Sequence, residues 1–225
     1  MIHKLKPLAA LLASALISTG ALAATQTLDA GNYTITYDDT ALGLFGTPVL
    51  TSSGIAFAPG GTPGFTAVNT VLQSIAALTI TADAGYKLTS FNLNEKGSYF
   101  KVGGDSVVFV GGKLTVQDLV NTGNSVVKDI SSGSPLSVTT TFDQNFKTET
   151  WSATAGASLA ASKVHVSIFD VLGAIPFNGG YASIGKSNVI LDVTVAAVPE
   201  PQSFAMLLAG LGIVGAVARR RRIGA

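Results

Sequence analysis

Apolar and polar residues alternate along most of the chain between residues 24 and 197. In "NYTITYD", Tyr33, Ile35 and Tyr37 alternate with Thr34 and Thr36, a period of two that sets one face of an extended strand against a core. The same pattern recurs in "ALTITAD", "YKLTSFNLN", "SVVFV", "KLTVQDLV", "PLSVTTTF", "KTETWSATA", "KVHVSIFDV" and "SNVILDVTVAAV". Thr, Val, Ile and aromatic residues fill these runs because they fit a pleated surface. Turns are expected at "NEKG" (residues 94–97) and at the pairs Gly60-Gly61, Gly103-Gly104, Gly111-Gly112 and Gly179-Gly180. Residues 46–65, rich in Gly, Pro, Ser and Thr, read as loop. Residues 66–78 fit either a short helix or a loop followed by a strand. Many short strands without a fixed-period repeat predict an all-β fold. The expected architecture is an antiparallel β-sandwich with jelly-roll-like topology.

The two ends break this pattern. Residues 1–23 carry Lys4 and Lys6, a short apolar core and a small-residue ending, the layout of a secretory signal helix. Ala21 and Ala23 satisfy the small–x–small rule, which puts cleavage between Ala23 and Ala24. At the other end, Pro199 and Pro201 flank Glu200 and interrupt both strand and helix. An apolar run follows, and then Arg219, Arg220, Arg221 and Arg222, every arginine in the chain. As a helix the run reaches roughly 22 Å, short of an average bilayer core of about 30 Å. With Gln202, Ser203 and the arginines extending it at the interfaces, residues 203–218 read as a transmembrane helix with a cytoplasmic arginine anchor. The expected organisation is a signal peptide at 1–23, an exported sandwich at 24–197 and a tail at 198–222.

Composition narrows the class. The 225 residues are 47% hydrophobic and 12% charged, so the chain can bury a core. The net charge of +1 conceals segregation. Between residues 24 and 198, twelve acids face eight lysines, leaving no basic patch for nucleic acid. There is no cysteine, so no disulfide framework supports an exported domain.

Several chemical signatures fail on context. "GYASIGKS" (residues 180–187) matches the phosphate-loop spacing, but a β-branched strand pattern follows where a helix is required. It reads as a Gly-rich turn, and Lys186→Ala is expected to leave the fold intact. Ser106 in "GGDSVVF" echoes a hydrolase nucleophile. The mature chain's histidine, His165, has no acid just before it and reads as a surface or hydrogen-bonded residue rather than a catalytic base. Asp38-Asp39 is an adjacent acidic pair without calcium-loop spacing. No cofactor is expected. Tyr99 and Tyr181 are candidate carbohydrate contacts, because a ring face with polar edges suits a sugar. Trp151 reads as core.

At the tail the sequence resembles the PEP-CTERM protein-sorting domain: Val198-Pro199-Glu200-Pro201, Ser203, the Gly/Leu-rich run and the arginines follow its layout. The resemblance covers about the last twenty-five residues. It implies recognition by an exosortase and export in a Gram-negative bacterium that makes extracellular polysaccharide. The expected itinerary is an inner-membrane sorting intermediate, then the cell surface or matrix. The expected role is a non-enzymatic structural or carbohydrate-binding sandwich in biofilm or exopolysaccharide. The alternative is a secreted hydrolase acting on matrix polysaccharide, which requires a carboxylate pair in an open cleft.

Overall fold

Strand alternation governs the architecture, but the strands are longer and fewer turns interrupt them than the glycines suggest. A computed structural model describes residues 24–59, 64–103, 105–139, 148–198 and 201–223. In chain order the strands are β1 (Thr25–Asp29), β2 (Tyr33–Asp38), β3 (Pro48–Leu50), β4 (Gly54–Phe57), β5 (Thr66–Val68) and β6 (Val71–Ala82). They continue with β7 (Tyr86–Val102), β8 (Val107–Asp118), β9 (Ser125–Ser132), β10 (Glu149–Ala161), β11 (Lys163–Ile175) and β12 (Tyr181–Ala197). A 3-10 segment, Asp39–Phe45, follows β2, and a helix, α1 (Pro201–Ile223), closes the chain.

All pairings are antiparallel and belong to one sheet, in the order β1-β2-β6-β11-β8-β9-β10-β7-β12-β4-β3, with β5 added to β12. The expected sandwich is therefore incorrect. A sandwich needs two sheets, whereas here a continuous eleven-strand ladder curls into a near-closed barrel. Long strands make this possible: β7 and β12 each run 17 residues, and the right-handed twist accumulated along them bends the sheet onto itself.

The interior takes one residue in two. β11 points Val164, Val166, Ile168 and Leu172 inward at 0% exposure, and β2 contributes Tyr33, Ile35 and Tyr37. Burying each large apolar side chain contributes about 1.5–3 kcal/mol. "NEKG" is no turn, because β7 runs straight through Glu95 and Gly97. Gly111 and Gly112 likewise lie inside β8. Residues 66–78 resolve as β5, a turn with Asn69 at φ 50°, and β6. The predicted loop at residues 46–65 contains the short strands β3 and β4.

Two glycines are required by their surroundings. Gly43 sits at φ +55°, where a Cβ would overlap the Ser74 hydroxyl. On the inner face of β7, a Cβ at Gly97 would overlap the Gly185 carbonyl oxygen and lie 2.7 Å from Trp151 Cζ2. The Gly185 obstacle is backbone and cannot rotate away. Gly97→Ala should therefore destabilise the barrel by about 2–3 kcal/mol, read as a lower urea midpoint at unchanged m-value.

The predicted cut after Ala23 lies outside the described residues, just ahead of β1, and Ala24 is exposed. Pro199 and Glu200 also lie outside them. Pro201 opens α1, where its missing amide is not needed by the helix. The transmembrane assignment for residues 203–218 is corrected here. Among the described residues no helix is long and apolar enough to cross a membrane. The uninterrupted apolar run is only about fifteen residues, bounded by Gln202 and Ser203 on one side and the arginines on the other. An inner-membrane intermediate and a membrane partner held through this helix fall with it. Met206, Leu208 and Ile213 of α1 are exposed, as is Arg219.

Candidate functional site

The inward positions of three strands each break their apolar pattern once. On β7 the inner face reads Phe91, Leu93, Glu95, Gly97, Tyr99. On β11 it reads Val166, Ile168, Asp170, Leu172. On β12 it reads Ala182, Ile184, Lys186. A bulge between Lys186 and Asn188 then re-phases β12, so that Val189 and Leu191 take over the inward positions. Lys186, Glu95 and Asp170 thus meet inside the barrel, each side chain 0% exposed.

Lys186 Nζ lies 2.7 Å from Glu95 Oε2 and contacts Asp170 Oδ2. Glycine and serine neighbours make room for the cluster. Asp170 is flanked in the sheet by Ser74 on β6 and Gly112 on β8, and Lys186 pairs with Gly97. Aromatic rings close it off: Nζ is 5.1 Å from the Phe65 ring centre, 5.5 Å from that of Phe45 and 5.8 Å from that of Trp151. Each ring is fixed locally. Asp38 caps the 3-10 segment by accepting from Thr40 N at 2.7 Å, and Leu44 N donates to Ser74 Oγ, which seats Phe45. Lys186 N donates to Phe65 O at 3.0 Å, and Trp151 Nε1 donates to Gly185 O at 3.1 Å. Trp151 is 4% exposed and belongs to the core.

Burial dominates the electrostatics. It pulls the Lys186 ammonium down from 10.5 to about 8, against the attraction of Glu95. It pushes the Glu95 carboxyl above its ordinary range, against the pull of Lys186. With all three groups ionised the site holds one positive and two negative charges. Close as they are, none of the five side-chain nitrogen and oxygen atoms makes an aligned hydrogen bond. The charge contacts are thus made without the hydrogen bonds that usually offset desolvation.

The phosphate-loop look-alike is therefore corrected in one respect. "GYASIGKS" is not a turn: from Tyr181 it is strand, and the turn precedes it, with Gly180 N donating to Phe177 O. Lys186 is a core residue, so the expectation that Lys186→Ala leaves the fold intact is reversed. No helix follows, and β12 runs on to Ala197.

The other sequence candidates are dispersed. Ser106 is buried and donates its hydroxyl to Val102 O. His165 lies on the outer face of β11, beside a shallow recess with Tyr37 and Thr79. Asp38 is occupied as the cap, and Asp39 accepts from Gln26. Among the described residues no group of three or more metal-ligating side chains gathers. Tyr99 points into the barrel at 4% exposure and its hydroxyl accepts from Val138 N, so no sugar can stack on it. Tyr181 is half-buried and packs at 5.9 Å against Phe100. The carboxylates brought together, Glu95 and Asp170, are sealed from any polymer. A polar groove of about 360 Å³ opens on the outer surface of β7, β12 and the β3–β4 turn, lined by Ser53, Asn94, Lys96, Asn188 and Asp192.

Sequence reasoning missed the interior cluster, although a signal existed. Glu95, Asp170 and Lys186 each fall on the apolar phase of an alternating run, where a charge is expensive unless it is partnered.

No curated protein and no solved structure is significantly similar to this chain. One family matches, the PEP-CTERM protein-sorting motif, over residues 197–222. That match starts at Ala197, the last residue of β12, and covers nearly all of α1. The chain is thus an exported protein whose C-terminal segment, residues 197–222, is a PEP-CTERM protein-sorting motif.

Proposed function

We propose that the barrel is a non-enzymatic structural protein of the extracellular polysaccharide matrix, delivered by an exosortase that processes the tail. The supporting observation is the boundary: the motif begins where the last strand ends. Cutting at or beyond Pro199 removes no strand, so processing leaves a complete barrel. The test is mass-spectrometric analysis of washed matrix. Peptides from β1 to β12 should be recovered without peptides from α1, and deleting the exosortase gene should abolish that tail-free form. Recovery of barrel and α1 peptides in equal amounts from both strains refutes the reading.

A carbohydrate-binding role is the second reading, favoured by the outer groove, whose amides, hydroxyl and carboxylate match the edges of a sugar. Tyr181 lies on the same strand as Asn188 and Asp192, and is the aromatic candidate that keeps some exposure. Retention of the mature protein on the producing strain's polysaccharide should fall several-fold in Asn94→Ala and Tyr181→Ala. Equal retention of all three proteins supports a purely structural role.

A further inference from the structure

We propose that Lys186 and Asp170 condense into an intramolecular isopeptide bond, with Glu95 as the catalytic proton-transfer group. The geometry supplies the reactants in place. Lys186 Nζ already contacts Asp170 Oδ2, and Glu95 Oε2 stands 2.7 Å from the same nitrogen. Holding nucleophile, electrophile and base together in a folded core replaces a bimolecular encounter with an intramolecular one.

The chemistry balances without any further reagent. In the reacting arrangement one proton passes from the Lys186 ammonium to Asp170, which leaves a neutral amine beside a carboxylic acid, with Glu95 ionised. The nitrogen lone pair attacks Asp170 Cγ and an N–C bond forms. Glu95 takes a proton from the nitrogen and returns it to the departing hydroxyl. The Cγ–O bond breaks and one water leaves. The products are a secondary amide, water and Glu95 in its starting state. Burial favours each part of this. It holds the amine close to its neutral, nucleophilic form. The rings of Phe45, Phe65 and Trp151 close off the cluster, which disfavours the reverse hydrolysis.

Desolvation favours the same bond. As ions, the three groups set one cation against two anions, leaving one buried negative charge in excess, without aligned hydrogen bonds. Condensation removes one cation and one anion from the core at once. It leaves a neutral amide beside the Glu95 carboxylate, which, with its cation gone, then takes up one proton from solvent, as burial favours. The bond also joins strands that the sheet does not. β11 pairs with β6 and β8, whereas β12 pairs with β7, β4 and β5, so the link crosses the barrel interior. In a chain without cysteine it is a covalent brace that an exported protein can make unaided.

Intact-mass measurement of the purified, denatured protein tests this directly. The mass should be one water below that calculated for its observed termini. Proteolysis should release a branched peptide joining Lys186 of β12 to Asp170 of β11. Glu95→Gln, close in size, should slow linkage about a hundredfold or more and return the full calculated mass. Lys186→Arg should not link at all. Native folded protein at its full calculated mass overturns the proposal without reference to any variant, as does a water loss mapped to a succinimide elsewhere. Glu95→Gln that links as fast as the native chain overturns the role of Glu95.

Discussion

Replacing Lys186 with alanine should lower the stability of the barrel by about 3–5 kcal/mol, among the largest effects of any single change. The substitution removes the cation of a cluster that has no solvent exposure and leaves Glu95 and Asp170 facing each other without it. It also empties the space bounded by Phe45, Phe65 and Trp151. In the linked protein the same change deletes the bond across the barrel, so the direction is the same. Urea unfolding of the mature protein measures it as a fall in midpoint; a shift below about 1 kcal/mol would contradict the buried placement.

The pH profile separates the linked and unlinked states. In an unlinked cluster Lys186 titrates at about 8 when folded and at 10.5 when unfolded. Between those values the unfolded chain binds the proton and the folded one does not, so stability rises as pH increases through the window. Glu95 acts in the opposite sense: its raised folded pKa means stability falls as pH rises from the ordinary carboxylate range to the raised value. Condensation abolishes the lysine contribution. As pH rises toward 10.5, Glu95→Gln, in which Lys186 keeps its burial but loses the Glu95 attraction that holds its pKa up, should gain stability relative to the native protein, read from urea midpoints at neutral pH and at pH 10.5.

The second large effect belongs to the tail. Changing Pro199, Glu200 and Pro201 together to alanine keeps the apolar run and all four arginines. It replaces two residues that lack an amide donor with good helix formers, so α1 can extend back toward β12, and it removes the residues a processing enzyme would read. Immunoblots with antibody to the barrel should show the native chain shortened, and the triple-alanine chain accumulating at full length with at least a tenfold loss of the shortened form. Equal trimming of the two proteins would reduce Pro199-Glu200-Pro201 to a helix stop. Replacing only the arginines is a useful contrast, because it leaves the Pro-Glu-Pro segment intact.

Strand content, the sorting motif of the tail and the core status of Trp151 were legible from residue order, because each depends on local information, whereas the transmembrane reading of the same tail was not upheld. Period-two alternation marks a half-buried strand whatever it pairs with, as at Tyr33, Ile35 and Tyr37. A sorting motif is a matter of residue order, so residues 197–222 show it without reference to any fold. Pairing order is different in kind. Nothing in β11 states that its partners are β6 and β8, and the choice between two stacked sheets and one curled sheet rests on twist summed over the whole ladder. Glycine was the least reliable guide. At Gly97, Gly111 and Gly112 it marks positions inside a strand rather than a reversal, and at Gly97 it is close approach of the Trp151 ring and the Gly185 backbone that excludes a side chain. The cluster lay further still from sequence reasoning. Glu95, Asp170 and Lys186 stand 75 and 16 positions apart in order, and a charge on the apolar phase of its own strand does not say which other charge it meets. A bulge at Ser187 shifts the alternation of β12 by one position, so Lys186 faces inward although Val189 and Leu191 set the opposite phase. Residue types and their local phase therefore came from the sequence, while the meeting of three charges in one dry interior was decided by barrel closure, which alone brings β7, β11 and β12 to a common axis.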